Sequence, residues 1–546
     1  MKQRSNGWLP LRVPNRVPNR AGATAVVAAL VLVGCGGGEG GPSASAEPAA
    51  EPAADRAEAF GGAAACNRRV NNTFKKLLEC VTLDGVRSHQ AALQAIADAN
   101  GGVRAAGTPG YDQSVSYVVS KLTAAGYDVT LNPFDFVYAA LATLHQTAPV
   151  AATYETGSFT GSGFGSASAA VTPVDINLIA PRANTSGCEA ADFAGFPAGN
   201  IALVQRGTCA FADKALNAQA AGASAVIIFN QGNTPAREGV VEGTLGGPAV
   251  VTIPVIGASF VTGAALSQAG SHAAITLAPP QHVTQYNVIA ESRSGDPNNV
   301  VVVGAHLDSV QRGPGIQDNG SGSAAILETA LRMAKVKPRN KLRFAWWGAE
   351  EAGLVGSTAY VNGLSVAERE RIALYLNFDM IGSPNHVFFI YDGDDSDAVG
   401  AGPGPGGSAQ IEQAFENFYN ERGLPFKGTD FSGRSDYGPF IAVGIPAGGL
   451  FTGAEGLKTA EEAAAWGGTA DAPYDPCYHL ACDTYANVNL TALDVNADAV
   501  AYTTLLFAMN TESVNGQRGK GNFSRPASPA CRPSPCRRCR GSPRRY

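Results

Sequence analysis

Between residues 299 and 380, three apolar runs each stop at side chains able to bind a metal. Val301-Val302-Val303-Gly304-Ala305 runs into His306-Leu307-Asp308, and a glycine-rich turn, Gln317-Asp318-Asn319-Gly320, follows. Phe344-Ala345-Trp346-Trp347-Gly348-Ala349 runs into Glu350-Glu351, and Leu374-Tyr375-Leu376-Asn377-Phe378 runs into Asp379. Imidazole together with several carboxylates suits zinc or a similar divalent ion. Singly, a His-x-Asp or a Glu-Glu pair is also what a solvated turn offers. Their recurrence at successive strand ends is the pattern of a two-metal hydrolase. There, ions ~3.5–4 Å apart hold a bridging water or hydroxide and polarise a carbonyl oxygen.

The residue types suggest a division of labour. His306 and Asp379 could cap one metal, and Glu351 with a second histidine the other. Asp318, in a turn at a helix start, is free to bridge. The chain has seven histidines. His479 suits the second cap, because it lies in Asp475-Pro476-Cys477-Tyr478-His479-Leu480-Ala481-Cys482-Asp483-Thr484. A Cys477–Cys482 bridge would stiffen that loop, and stiff loops keep metal geometry. His145, His272 and His282 read as ordinary surface or satisfied histidines. With Glu351 on a metal, Glu350 can take the proton of the nucleophilic water and pass it to a leaving amine. Asp308 can orient the His306 imidazole from behind.

Such residues need strands that end on one side of a sheet, where open α/β folds gather their sites. Apolar periodicity predicts helices over 81–100 and 111–125, with the Gly101–Gly110 loop between them and a strand over 127–131. Strands are expected at 286–290, 299–305, 341–347 and 386–391. Helices are expected at 321–336, 353–363, 365–372, 408–422 and 491–509. Residues 136–283 differ: Gly, Ala, Ser, Thr and Val dominate, and only one helix, near 211–221, precedes a strand at 225–230.

These motifs resemble peptidase family M28, most of all the small secreted (Streptomyces-type) zinc aminopeptidases. The resemblance spans about 81–135 and 284–510. It implies an α/β fold with a mixed sheet between helices, two Zn2+ per chain, and hydrolysis of the N-terminal peptide bond of peptides with apolar first residues. It places His306, Asp318, Glu351, Asp379 and His479 on the family's ligand positions and Glu350 on its general base. Tyr478 falls on the tyrosine that helps hold the oxyanion. Arg434, in Phe431-Ser432-Gly433-Arg434-Ser435-Asp436-Tyr437, falls on an arginine that orients substrate. Glu350 and Asp379 would receive the free α-amine. Residues 200–209 and 220–227 resemble the protease-associated (PA) domain, a β-rich insertion thought to gate substrates.

The expected organisation is a signal peptide with a lipobox over 1–35, a flexible linker over 36–62 and a catalytic domain in two parts, 63–135 and 284–515. The PA domain occupies 136–283, and a basic Pro- and Cys-rich tail 516–546. Leu32-Val33-Gly34-Cys35 follows five basic residues and a short apolar run, so Cys35 is the candidate for lipidation. Cys66/Cys80, Cys188/Cys209 and Cys477/Cys482 are local pairs that suggest disulfides in an exported chain, secreted or held at the cell envelope. Without residues 1–34 and 520–546 the chain carries 46 acidic side chains against 27 basic. That balance argues against nucleic acid or anionic membrane as a partner, save through a lipid anchor. A monomer acting on peptides with a free N-terminus is expected. The alternatives are a carboxypeptidase or dipeptidase on the same fold, a single-metal glutaminyl cyclase-like enzyme, and a non-catalytic receptor.

Overall fold

The computed structural model describes residues 62–400 and 402–517. Cys35 with the leader around it, the linker as far as residue 61, and the tail from residue 518 lie outside the described residues. Eight strands form the principal sheet: β1 (Asp128–Tyr138), β2 (Gln281–Glu291), β3 (Asp296–His306), β4 (Asn340–Trp347), β5 (Ile372–Phe378), β6 (Phe389–Tyr391), β7 (Lys427–Thr429) and β8 (Ala447–Phe451). Across the sheet they run β1-β2-β4-β3-β5-β8-β6-β7. The centre, β4, β3, β5 and β8, is parallel. β1, β2 and β6 are set antiparallel to their inner neighbours.

The central strands are apolar on both faces because helices cover both. Helices α1 (Leu83–Ala99), α2 (Pro109–Ala125), α3 (Gly320–Met333), α4 (Ser408–Arg422) and α5 (Leu490–Met509) share one core with one face of the sheet. The other face buries an aromatic group that includes Trp347, Tyr360, Tyr375, Tyr437 and Phe440. Helix ends follow capping chemistry. Thr82 accepts from the Gly85 N–H ahead of α1, and Asn319 accepts from the Gly322 N–H ahead of α3. Pro109 opens α2 and left-handed Gly126 ends it.

Some elements differ from expectation. The strand predicted over 127–131 runs on to Tyr138, and Pro133 is tolerated because β1 is an edge strand. The helix predicted over 365–372 spans only Val366–Glu370, because Ile372 already begins β5. The strand expected at 386–391 is confined to Phe389–Tyr391. β7 and β8 carry no clear strand signal, since β8 holds Gly448 and Gly449. A Cβ on Gly449, whose φ is +158°, would fall 1.8 Å from the Asn377 carbonyl oxygen of β5.

Between β1 and β2 the chain builds a second unit. It holds a seven-stranded sheet in the order Ala152–Tyr154, Thr143–Ala148, His272–Leu277, Gly165–Pro173, Ile201–Gln205, Ala225–Phe229, Val255–Ala258. Helices Phe211–Ala220 and Phe260–Leu266 pack on it, and it has cores of its own. The chain leaves the principal sheet at Tyr138 and returns at Gln281, and these two residues are paired. Because β2 is antiparallel to β4, this two-strand stalk projects from the sheet's carboxyl end. Disulfides join Cys66–Cys80, Cys188–Cys209 and Cys477–Cys482. Among the described residues, no helix is long and apolar enough to cross a membrane.

Candidate active site

His306 ends β3, Glu350 and Glu351 follow β4, and Asp379 follows β5, so three adjacent parallel strands deliver side chains to one edge. Asp318 precedes α3, and His479 reaches in from the loop closed by Cys477–Cys482. His306 Nε2 lies 3.2 Å from Asp318 Oδ1 and 3.3 Å from Asp379 Oδ1. His479 Nε2 lies 3.2 Å from Asp318 Oδ2 and 3.0 Å from Glu351 Oε2. Asp318 therefore turns one oxygen to each imidazole. Glu350 joins His306 and Asp379 in a second group within ligand distance. Tyr478 stacks on His479, with ring centroids 3.8 Å apart, and its hydroxyl accepts from Arg434 Nη2 at 3.3 Å. The expected metal, catalytic and substrate-binding residues thus meet at one place, while the Cys66–Cys80 and Cys188–Cys209 bridges lie elsewhere.

Backbone conformations support the placement. Ala349, Met380 and His479 have φ of +54°, +50° and +58°. Left-handed conformations cost non-glycine residues energy and cluster at functional sites. Each of these three is a site candidate or adjoins one. Asp308 contacts His306 Nδ1 through its carbonyl oxygen at 3.2 Å, with its Oδ1 at 3.6 Å. Its carboxylate also accepts from the Glu350 and Glu351 N–H groups at 3.2 and 3.4 Å, tying the end of β4 to the end of β3.

Further supports were not singled out from the sequence. Asp483 accepts from the Gln317 and Asp318 N–H groups at 2.8 and 2.9 Å and so fixes the Asp318 turn. Arg104, buried in the loop before α2, donates to the carbonyls of Leu307, Pro314 and Gly315. It grips the segment that runs from His306 to Asp318. A buried chain of donors leads to Asp379: Trp347 Nε1 donates to Tyr375 Oη, Tyr375 to Asn377 Oδ1, Asn377 Nδ2 to Ser435 Oγ, and Ser435 to Asp379 Oδ2, at 2.6–2.9 Å. Gly304 makes room for it; a Cβ there would sit 2.5 Å from the Tyr375 hydroxyl. Asp483 and Ser435 lie inside motifs visible in the sequence, but only tertiary contact shows what they hold.

The charge balance is lopsided. Asp308, Asp318, Glu350, Glu351, Asp379, Asp436 and Asp483 converge on two imidazoles. Burial raises the carboxyls of Glu350, Glu351 (to about 7), Asp436 (to about 7) and Asp483 (to about 8). Burial alone would lower His479, but Asp318 and Glu351 carry it up to about 10. Burial lowers the Arg104 guanidinium to about 10 against the pull of the same acids. Meanwhile His306 Nε2, Glu351 Oε1 and Asp379 Oδ1 are buried with no hydrogen-bond partner. Buried polar atoms left without partners are costly. Here His306 Nε2 and Asp379 Oδ1 face one another at 3.3 Å and Glu351 lies within ligand distance of His306 and Asp318, the arrangement expected of ligands to cations.

A cavity of about 310 Å³ opens on this cluster. Met380, Phe389, Tyr391, Phe451 and Tyr474 make its walls apolar, and Arg434 and Glu455, paired at 2.9 Å, stand in its lining.

The model of Peptidase family M28 matches residues 287–504, and that of the PA domain matches residues 174–266. An aminopeptidase of Pseudomonas aeruginosa is 52% identical over 451 residues, covering 81% of this chain and 84% of that protein. The chain belongs to peptidase family M28. This M28 chain is a metallo-exopeptidase of the aminopeptidase kind with a PA domain. A Mycobacterium tuberculosis protein named "Probable lipoprotein aminopeptidase" is 44% identical over 448 residues, 80% of this chain and 87% of its own. Among solved structures, a zinc aminopeptidase from Bacillus subtilis superposes with a TM-score of 0.52 at 26% identity. It covers 77% of this chain and 94% of its own.

Proposed function

We propose that this M28 enzyme is an exported dinuclear zinc aminopeptidase that removes apolar first residues from peptides. The observation that carries this reading is Asp318, one oxygen toward each imidazole, within a cluster of partnerless buried ligand atoms. His306 and Asp379 would hold one ion, His479 and Glu351 the other, and Asp318 both. Ions held there would acidify a water molecule at neutral pH and polarise the scissile carbonyl.

The chain's own groups account for the rest. Glu350, whose carboxyl is raised by burial and by Asp436, Glu351 and Asp379 against the pull of His306, suits a group that takes a proton and returns it to the leaving amine. The Tyr478 hydroxyl, in the cavity lining beside Arg434, can donate to the oxygen that becomes negative. Glu350 and Asp379 can receive the substrate's free ammonium. The aromatic walls suit an apolar first side chain. A carboxypeptidase would need a basic group for a free carboxylate, and the arginine in this lining, Arg434, is already paired with Glu455.

Export agrees with the three disulfides and with the lipoprotein name of a relative. The Cys35 anchor is tested by Cys35→Ser, which should move the protein out of the membrane fraction. The activity is tested by leucyl-p-nitroanilide beside its N-acetylated form and a peptide probed at its C-terminus. Rapid cleavage of the free-amine substrate alone is expected. Comparable cleavage of the blocked one would sink the reading.

A further inference from the structure

A second cavity, of about 200 Å³, touches the ligand cluster on the side of Glu351 and His479. Its lining shares His479 alone with the first cavity. Its walls come from both units of the chain: Ala105, Ala106 and Phe136 from the principal domain, and Leu141 and Glu242 from the insertion. At its rim, Arg312 pairs with Glu242 and donates to the Thr156 carbonyl at 3.2 Å. Beside it, Gln311 clamps the start of the insertion. Its Nε2 donates to the Ala139 carbonyl at 2.9 Å, and its Oε1 accepts from the Leu141 N–H at 3.0 Å.

We propose that this second cavity receives the side chain of the substrate's second residue, and that Glu242 of the inserted domain sets which residues it accepts. The proposal rests on the aminopeptidase reading above. A substrate with a free N-terminus has nothing before its first residue, so the aromatic cavity takes that side chain and the rest of the peptide must leave the cluster another way. Glu350, which returns the proton to the leaving amine, lines the first cavity, and the next two residues, Glu351 and Ala352, wall the second. The second cavity is small, with an apolar wall of Ala105, Ala106, Phe136 and Leu141 facing a polar one that includes Asp308, Arg312 and Glu242, which suits a short side chain. Its rim presents a closed ion pair. An acidic second residue finds Arg312 already engaged by Glu242, and a basic one meets the guanidinium.

The experiment compares kcat/KM for Leu-Ala-amide and Leu-Asp-amide in the wild type and in Glu242→Gln. Glu242 is half-exposed at the rim, so the substitution does not disturb a core. Removing its charge frees Arg312, and the Leu-Asp to Leu-Ala ratio should rise by about fivefold, the scale of an exposed ion pair. Leu141→Ala, which enlarges the same cavity, should raise the ratio for Leu-Phe-amide over Leu-Ala-amide. Ratios unchanged in both variants, with leucyl-p-nitroanilide still hydrolysed by the wild type, would overturn the subsite and leave the aminopeptidase reading intact. Failure of the wild type on leucyl-p-nitroanilide would instead overturn the reading beneath it.

Discussion

The two units of this chain build buried parallel strands in the same way but finish them differently. In the inserted unit, strand Ile201–Gln205 ends in an amide and strand Ala225–Phe229 is followed by one. Gln205 is buried, accepts from the Asn177 N–H at 2.7 Å and donates to the carbonyls of Asn177 and Gln231. Asn230 donates to the Gly239 carbonyl at 2.9 Å. Those ends are satisfied within the protein. In the principal unit, β3 and the turns after β4 and β5 end in His306, Glu351 and Asp379, which keep buried atoms without partners. Strand ends that complete their own hydrogen bonds are architecture. Strand ends left incomplete at a cost of about 1–3 kcal/mol per group await a ligand.

Four measurements can break or sharpen this contrast. Chelation should have the largest effect, abolishing activity and lowering the melting temperature, with zinc restoring both. Zinc affinity should fall steadily as pH drops, since ligation requires a neutral His479 and an ionised Glu351, and the site raises the pKa of both. A chelator-resistant enzyme would erase the contrast. Next, Glu350→Gln should lower kcat by ~10²–10⁴ while elemental analysis still finds the wild-type metal content. Loss of metal would mean that Glu350 and Glu351 exchange roles. Third, Gln205→Ala should cost about 1–3 kcal/mol in denaturant unfolding and leave turnover of leucyl-p-nitroanilide unchanged. A catalytic defect there would make the amide ends functional too.

The smallest effect concerns a third acidic group, Asp392, Asp394 and Glu412. Its carboxylates are used internally: Asp392 accepts from the Ser396 and Asp397 N–H groups, and Glu412 from those of Gly393 and Asp394. Burial raises Glu412 to about 7 against the Gly393 N–H, with Asp394 and Asp392 adding to the rise. A carboxyl raised in the folded state contributes stability that is complete below its unfolded value and is lost as pH climbs through the folded one. The Glu412 contribution to the melting temperature should therefore decline between about pH 4.5 and 7. Glu412→Gln should flatten that slope, seen by calorimetry at pH 5 and 8.

Much of this was legible in the residues. Unbroken apolar runs such as Val301–Ala305 announce strands covered on both faces, and the acids at their ends announce the site. β8 was not legible, because Gly448 and Gly449 serve a close backbone approach that only the neighbouring strand reveals. The length of β1 was hidden by Pro133, which an edge position tolerates. Asp483 and Arg104 were visible as residues but not as supports. Their partners lie 165 residues away or more, and no local period encodes contacts at that separation. The cavity shared with Glu242 depends on where the stalk sets the inserted unit down, which is a tertiary fact.

The hydrogen-bond chain that ends at Asp379 begins at an indole. Trp346 and Trp347 are two of the four tryptophans in the chain. Trp346 donates to the Ser323 carbonyl near the start of α3, and Trp347 heads the chain to Asp379. The protein therefore carries two indoles at the root of the ligand cluster. Ultraviolet emission that shifts as zinc is added and stripped, with no label and no substrate, is the expected outcome, and an unchanged spectrum in a protein that binds zinc would show that the relay does not reach the indole.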